Sequence, residues 1–209
     1  ASYTSPGNVK ITSKQKPKNL AFNIGKFGDV DSDKYEFLIH MLESMGVVKV
    51  EENLLGVRWS KLLINSAFSG LSVITGSTFG DISQNKISRK IALKIIKEGI
   101  DVAKANNIKI EPIQGKNIGK LFGIKGKMGE WFSMILLKFS MNNHKNIKSG
   151  MLRTIENNQK TDIDKINGVI SKYGKLSNTP TPFNDKIIEL VKKIEMNDYK
   201  IGWSNLLDF

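Results

Sequence analysis

Near residue 50 the apolar pattern of this chain changes period, and that change decides what each part can fold into. Up to Val50 the apolar residues come in short β-prone runs. Val9 to Thr12 and Leu20 to Ile24, parted by a polar Lys/Gln/Pro/Asn connection, predict a β-hairpin. Asp31, Ser32 and Asp33 then offer an N-cap to a helix whose apolar positions Phe37, Leu38, Met41, Leu42 and Met45 recur at helical spacing. Gly46 ends it, and Val47 to Val50 reads as another strand. From Glu51 onward the helical period dominates, with helices expected near 52–70, 84–106, 116–123, 127–141, 145–157, 161–174 and 182–197. The expected fold class is therefore mainly α, a helical domain over 51–209 preceded by a small α/β piece over 1–50. Within it, Thr161 and Asp164 approximate a capping box, and Pro182 suits the first turn of the last helix.

Composition narrows the function classes. At 209 residues, with 40% hydrophobic and 25% charged, the chain can bury a substantial core. It has no cysteine, which removes disulfides, thiolate nucleophiles and thiolate metal sites and fits a reducing cytoplasm. No apolar run approaches the roughly 18 residues of a membrane span, and Ala1 to Gly7 has no basic stretch leading into an apolar one, so neither a membrane nor a targeting role is expected. The formal charge of +12 is spread over nearly every expected helix, and only Arg58, Arg89 and Arg153 are arginines. That pattern reads as a solvated lysine-rich surface rather than a nucleic-acid interface. His40 and His144 lack carboxylates at ligand spacing, so no metal site is expected.

Two separated segments place polar groups on otherwise apolar helical patterns. The first is Trp59-Ser60-Lys61-Leu62-Leu63-Ile64-Asn65, where Lys61 and Asn65 stand at i and i+4 and point an amine and an amide from one helix face. The second is Ser149-Gly150-Met151-Leu152, followed by Thr161-Asp162-Ile163-Asp164-Lys165-Ile166-Asn167-Gly168. Asp164, Asn167 and Gly168 suit a helix start and close packing. Trp131, Phe132, Leu136, Leu137 and Phe139 make a bulky helix fit for core or a homodimer contact.

In order, spacing and apolar flanks the two segments resemble the C-terminal domain of ketopantoate reductases (2-dehydropantoate 2-reductases), which carry a Trp-x-Lys-x-x-x-Asn helix and a later Ser-Met-Leu … Thr-Glu-Ile-Asp-x-x-Asn-Gly stretch. The resemblance implies a helical, 6-phosphogluconate-dehydrogenase-like domain preceded by the closing strands of a Rossmann cofactor domain. It implies reduction of a small 2-oxo acid by NADPH in pantothenate biosynthesis, with Lys61 as the catalytic acid. By the same resemblance Asn65, Ser69 and Ser149 would bind substrate, and Asp162 the cofactor. The chemistry suits Lys61, because a ketone oxygen gains charge as hydride adds to its carbon, and an ammonium can both stabilise that charge and donate a proton.

Departures from the family pattern are specific. Ser69 stands where the family has a second asparagine, Phe79 where it has a polar residue before Gly80, Gly150 where it has a serine, and Asp162 where it has glutamate. No Gly-x-Gly-x-x-Gly turn for a pyrophosphate occurs; Gly25/Gly28 and Gly115/Gly119/Gly123 have the wrong spacing. The resemblance implies ketopantoate or a related 2-oxo acid as substrate, and these losses point to a 2-oxo acid other than ketopantoate or to weakened activity. The contrasting reading is a non-catalytic helical module that keeps the fold for dimerisation or partner binding. Joint survival of Lys61, Asn65 and an acid at position 162 favours the enzyme.

Overall fold

The computed structural model describes residues 2–5, 8–10, 21–113, 115–124, 126–142 and 145–209. They fall into two compact units, Ala1–Leu54 and Leu55–Phe209.

In the first unit, β1 (Ser2–Ser5) pairs antiparallel with β2 (Asn8–Lys10). Then β3 (Ala21–Ile24), α1 (Ser32–Glu43) and β4 (Val47–Val50) form a β-α-β unit with β3 and β4 parallel, Ala21 opposite Val47 and Ile24 opposite Val50. This corrects the expected hairpin. The run ending at Ile24 pairs with a strand beyond the helix rather than with Val9, and Ile11, Thr12 and Leu20 lie outside the described residues. Asp31 caps α1 by accepting from the amides of Asp33 and Lys34. No residue of α1 is buried, and Phe37, Met41 and Met45 stand exposed.

The second unit is helical: α2 (Leu54–Thr75), α3 (Phe79–Gln84), α4 (Lys86–Ala105), α5 (Ile118–Phe122), α6 (Gly126–Ser140), α7 (Gly150–Glu156), α8 (Ile163–Leu176), α9 (Pro182–Glu195) and a closing 3-10 turn, Trp203–Asp208. Its C-terminal half makes α2 the centre: Ser66 to Thr75 are all buried, as expected of a helix apolar on every side. The other long helices are amphipathic and turn one face inward, Ile91, Ile95 and Val102 from α4, Ile163 and Ile170 from α8, Ile187, Leu190 and Ile194 from α9. None of the described helices is long and apolar enough to cross a membrane.

Three helix boundaries differ most from the sequence expectation, one set by a glycine at positive φ and two by side-chain caps. Gly76, at φ 70°, ends α2 beyond the expected residue 70. Thr78 and Asp81 then form a capping box that starts α3, a helix missing from the expectation. Ser149 starts α7 at Gly150 rather than at 145, accepting at 3.0 Å from the Leu152 amide.

Backbone crowding fixes Gly80. A Cβ there would lie 2.5 Å from the carbonyl oxygen of Lys145 and 2.8 Å from its Cα, while the Gly80 amide donates to that same oxygen at 3.0 Å. The obstacle is main chain, which cannot rotate away. Gly80→Ala is therefore expected to destabilise the domain by about 1–3 kcal/mol, the usual range for overpacking, despite alanine's better helix propensity. Urea denaturation followed by circular dichroism checks this, and an unchanged midpoint would show that the 145–149 segment moves freely.

Candidate active site on helix α2

Orientation of α2 begins with Trp59. It is buried, its indole Nε1 donates to the Gly99 carbonyl of α4 at 3.0 Å, and its ring meets Tyr173 edge-on at 5.5 Å. Leu63, one turn on, is fully buried against the same side. Lys61 and Asn65 sit two residues further round the helix from each of these, so burying Trp59 and Leu63 turns the amine and the amide away from the core. Ser60 adds a second anchor by donating to the carbonyl of Glu111.

The face so exposed forms one wall of a cavity of about 480 Å³. Lys61, Ile64 and Asn65 come from α2; Ile113 and Lys116 come from the loop before α5; Leu121, Phe122, Leu136 and Phe139 come from α5 and α6. Among the described residues, neither the Lys61 ammonium nor the Asn65 amide has a hydrogen-bond or ion-pair partner. Two polar groups on a mostly apolar wall, both unengaged, are the arrangement expected of a small-molecule site.

The structure separates the remaining expected residues from this cavity. Ser149 is 1% exposed, and its hydroxyl is spent, accepting from Leu152 and donating to the Ser69 carbonyl at 3.3 Å. Its amide donates to Ser72 Oγ at 3.2 Å. Ser149 and Ser69 thus meet each other in the packing of α7 against α2, and neither lines the cavity. Asp162 is exposed at the N-terminus of α8 without a side-chain capping bond, and it is absent from the cavity wall as well.

The expected Thr161–Asp164 capping box does not form, and both side chains engage α9 instead. Thr161 accepts at 3.2 Å from the Ile163 amide and gives its own amide and hydroxyl to Glu195 at 2.7 and 2.6 Å, while Asp164 pairs with Lys192 at 2.7 Å. Phe79, where hydrogen-bonding capacity is lost, fills space by packing edge-on to Phe68 at 5.9 Å. Residue identity alone does not mark Lys116, which lines the same cavity. Its signal lies in the turn before α5, where Ile113 and Lys116 exchange both backbone hydrogen bonds at 3.0 Å around Gly115, held at φ 74°.

A buried polar chain ties α2, α4, α8 and α9 together behind the cavity. Asn167 donates to the Ser66 carbonyl at 3.1 Å and to Asn184 Oδ1 at 3.0 Å. Asn184 in turn donates to the Ile95 carbonyl at 3.3 Å and to Glu98 at 2.7 Å. Glu98 also accepts the amides of Phe183 and Asn184 at 2.8 and 2.9 Å, so a carboxylate of α4 caps the N-terminus of α9. Burial pushes the Glu98 carboxyl above the usual carboxylate range, against the pull of these donors.

The described residues do not fit the pyrophosphate of a dinucleotide. In the connection from β3 to α1, a Cβ at Gly25 would lie 2.5 Å from the Glu51 carbonyl oxygen, so that glycine faces the returning chain instead of an open cradle. Among the described residues no group of three or more His, Cys, Asp or Glu gathers as a metal site; His40 pairs with Glu43 at 3.2 Å, and His144 lies outside the described residues.

Residues 53–195 match the family model described as ketopantoate reductase PanE/ApbA C terminal. The 2-dehydropantoate 2-reductase of Pyrococcus horikoshii is 32% identical over 149 residues, covering 70% of this chain and 42% of that protein. Among solved structures, the PanE/ApbA family ketopantoate reductase from Ralstonia eutropha JMP134 superposes with a TM-score of 0.67 at 19% identity, over 86% of this chain and 52% of that one. The complex of D-mandelate dehydrogenase with NADH and anilino(oxo)acetate superposes with a TM-score of 0.66 at 20% identity, over 85% and 53%. The chain spans about half the length of the curated relatives it matches.

Proposed function

The chain belongs to the ketopantoate reductase PanE/ApbA C-terminal family, and from that premise we propose that it is the substrate-binding part of an NADPH-dependent, 2-dehydropantoate 2-reductase-like oxidoreductase of the cytoplasm. Its substrate is ketopantoate or a related 2-oxo acid, and ketopantoate would place it in pantothenate biosynthesis. The observation that carries this reading is the unengaged pair Lys61 and Asn65 on the wall of an apolar cavity.

In this reading Lys61 holds its proton at Nζ against the substrate carbonyl oxygen. As negative charge builds on that oxygen the ammonium stabilises it, then transfers the proton to complete the alcohol, and the neutral amine regains a proton from water. Asn65, one turn away on the same face, orients the ligand through its amide. NADPH supplies a hydride when bound; the described residues offer its pyrophosphate no cradle, and this chain's share is the acid side of the reaction. The dehydrogenase complex with NADH supports a nicotinamide donor, and the family match supports the 2-oxo acid.

A homodimer contact is part of the same proposal. On α6, Met128 and Trp131, one turn apart, are 86% and 67% exposed, an apolar pair of the kind that covers itself by association.

The test is NADPH oxidation in the presence of a 2-oxo acid. The 209-residue chain alone is expected to show no turnover, whereas the same chain joined to a cofactor domain carrying the glycine-rich turn is expected to reduce the acid. Robust oxidation by the chain alone would contradict this division of labour, and an inert joined protein would contradict the enzymatic reading itself.

A further inference from the structure

Among the described residues, four polar side chains, Lys61, Asn65, Lys116 and Ser140, line the cavity, and the other eight are apolar. Ser140 turns its hydroxyl back to its own helix, donating to the Leu137 carbonyl at 2.9 Å. Two ammonium groups and one amide are left to meet a ligand. A 2-oxo acid presents two acceptors, the carbonyl oxygen and the carboxylate, and these three donors satisfy both. Among the described residues nothing polar then remains for its side chain, which would lie against Leu121, Phe122, Leu136, Phe139 and Met141.

Resting on the assignment of Lys61 above, we propose that this cavity selects 2-oxo acids with a large apolar side chain, and that the Lys116 ammonium is the second cation, holding the carboxylate while Lys61 faces the carbonyl. The Ile113–Lys116 backbone pair fixes the base of the Lys116 side chain at the cavity, and among the described residues the ammonium has no ion-pair partner. Ser149, locked as the cap of α7, cannot take that role. A hydroxyl on the ligand side chain would be stripped of water against this wall without gaining a partner, which disfavours it, whereas each buried methylene tightens binding by about fourfold.

Titration of the ¹⁵N-labelled 209-residue chain by NMR, with 4-methyl-2-oxopentanoate, pyruvate and ketopantoate as probes, tests this. The branched apolar acid is expected to bind at least about tenfold tighter than pyruvate and tighter than ketopantoate, shifting α2, α5 and α6 amides. Phe139→Ala, at a position already 58% exposed and so tolerant of change, is expected to remove several-fold of that preference and leave pyruvate unaffected. Lys116→Ala is expected to weaken all three probes about tenfold. Equal affinities, a preference for ketopantoate, or binding indifferent to Lys116→Ala would overturn the inference, while saturable shifts of the Lys61 and Asn65 amides with any of the probes would still uphold the reading beneath it. Absence of saturable shifts with every probe would overturn both.

Discussion

Lys61→Ala, made in the complete reductase, is expected to lower kcat about a hundredfold or more while changing KM for the 2-oxo acid far less. The reason is differential: a ketone oxygen is only partly charged in the bound substrate, and the ammonium's interaction with it strengthens as hydride arrives. Removing the amine therefore costs the transition state more than the ground state. Water entering the vacated space can donate a proton, but it carries no positive charge and is not oriented by the helix, which is why the loss is large. Lys104→Ala, an exposed lysine in the last turn of α4, is the control. Steady-state kinetics on both variants, with folding checked by circular dichroism, separate the cases. Equal turnover would return Lys61 to the status of a solvated helix residue and favour the non-catalytic module.

The second large effect concerns stability. Glu98→Ala is expected to destabilise the helical domain by about 3 kcal/mol, because three N–H donors, those of Phe183, Asn184 and the Asn184 side chain, lose their acceptor together. The N-terminal turn of α9 is then uncapped, and the only residue at its cap position, Thr181, makes no side-chain capping bond. The loss reaches α2 through Asn184, Asn167 and the Ser66 carbonyl, one residue from Asn65. Guanidinium denaturation measures it; a change below about 0.5 kcal/mol would mean that water replaces the carboxylate without penalty.

The pH dependence of this group has a definite sign. Burial raises the Glu98 carboxyl above its unfolded value, so between the unfolded and folded values the native chain holds the extra proton. Its contribution to stability is therefore fullest below the unfolded value and falls as pH rises through the folded one. Glu98→Gln is expected to flatten that fall in denaturation midpoints measured across the acid range, and an unchanged slope would assign the pH dependence to other carboxylates.

Periodicity carried much of the fold. The amphipathic runs of α4, α8 and α9 read correctly because each buries one face in the shared core, and that burial is what sets a 3.6-residue apolar repeat. Short elements escaped it: α3 spans six residues, too few for a period, and shows itself only through Thr78 and Asp81. The pairing of β3 is not legible in the sequence, because an apolar run says nothing about its partner strand, which here lies beyond a helix. At the candidate site, the shared face of Lys61 and Asn65 is legible in the sequence because i and i+4 on one helix fix it. Lys116 could not, since a loop residue reaches a cavity through turn geometry that residue identity alone does not encode. Ser149 misled for a related reason: a serine before a helix is as good an N-cap as it is a ligand, and the Leu152 amide is the nearer claimant.

A crystal structure of the complete reductase with an unreactive 2-oxo acid analogue tests the central claim most directly. The carbonyl oxygen is expected within about 3.2 Å of Lys61 Nζ, with the Asn65 amide in hydrogen-bonding reach of the same ligand. An analogue seated in ordered density away from Lys61, with the ammonium left in solvent, would contradict the assignment of this cavity as the site of reduction.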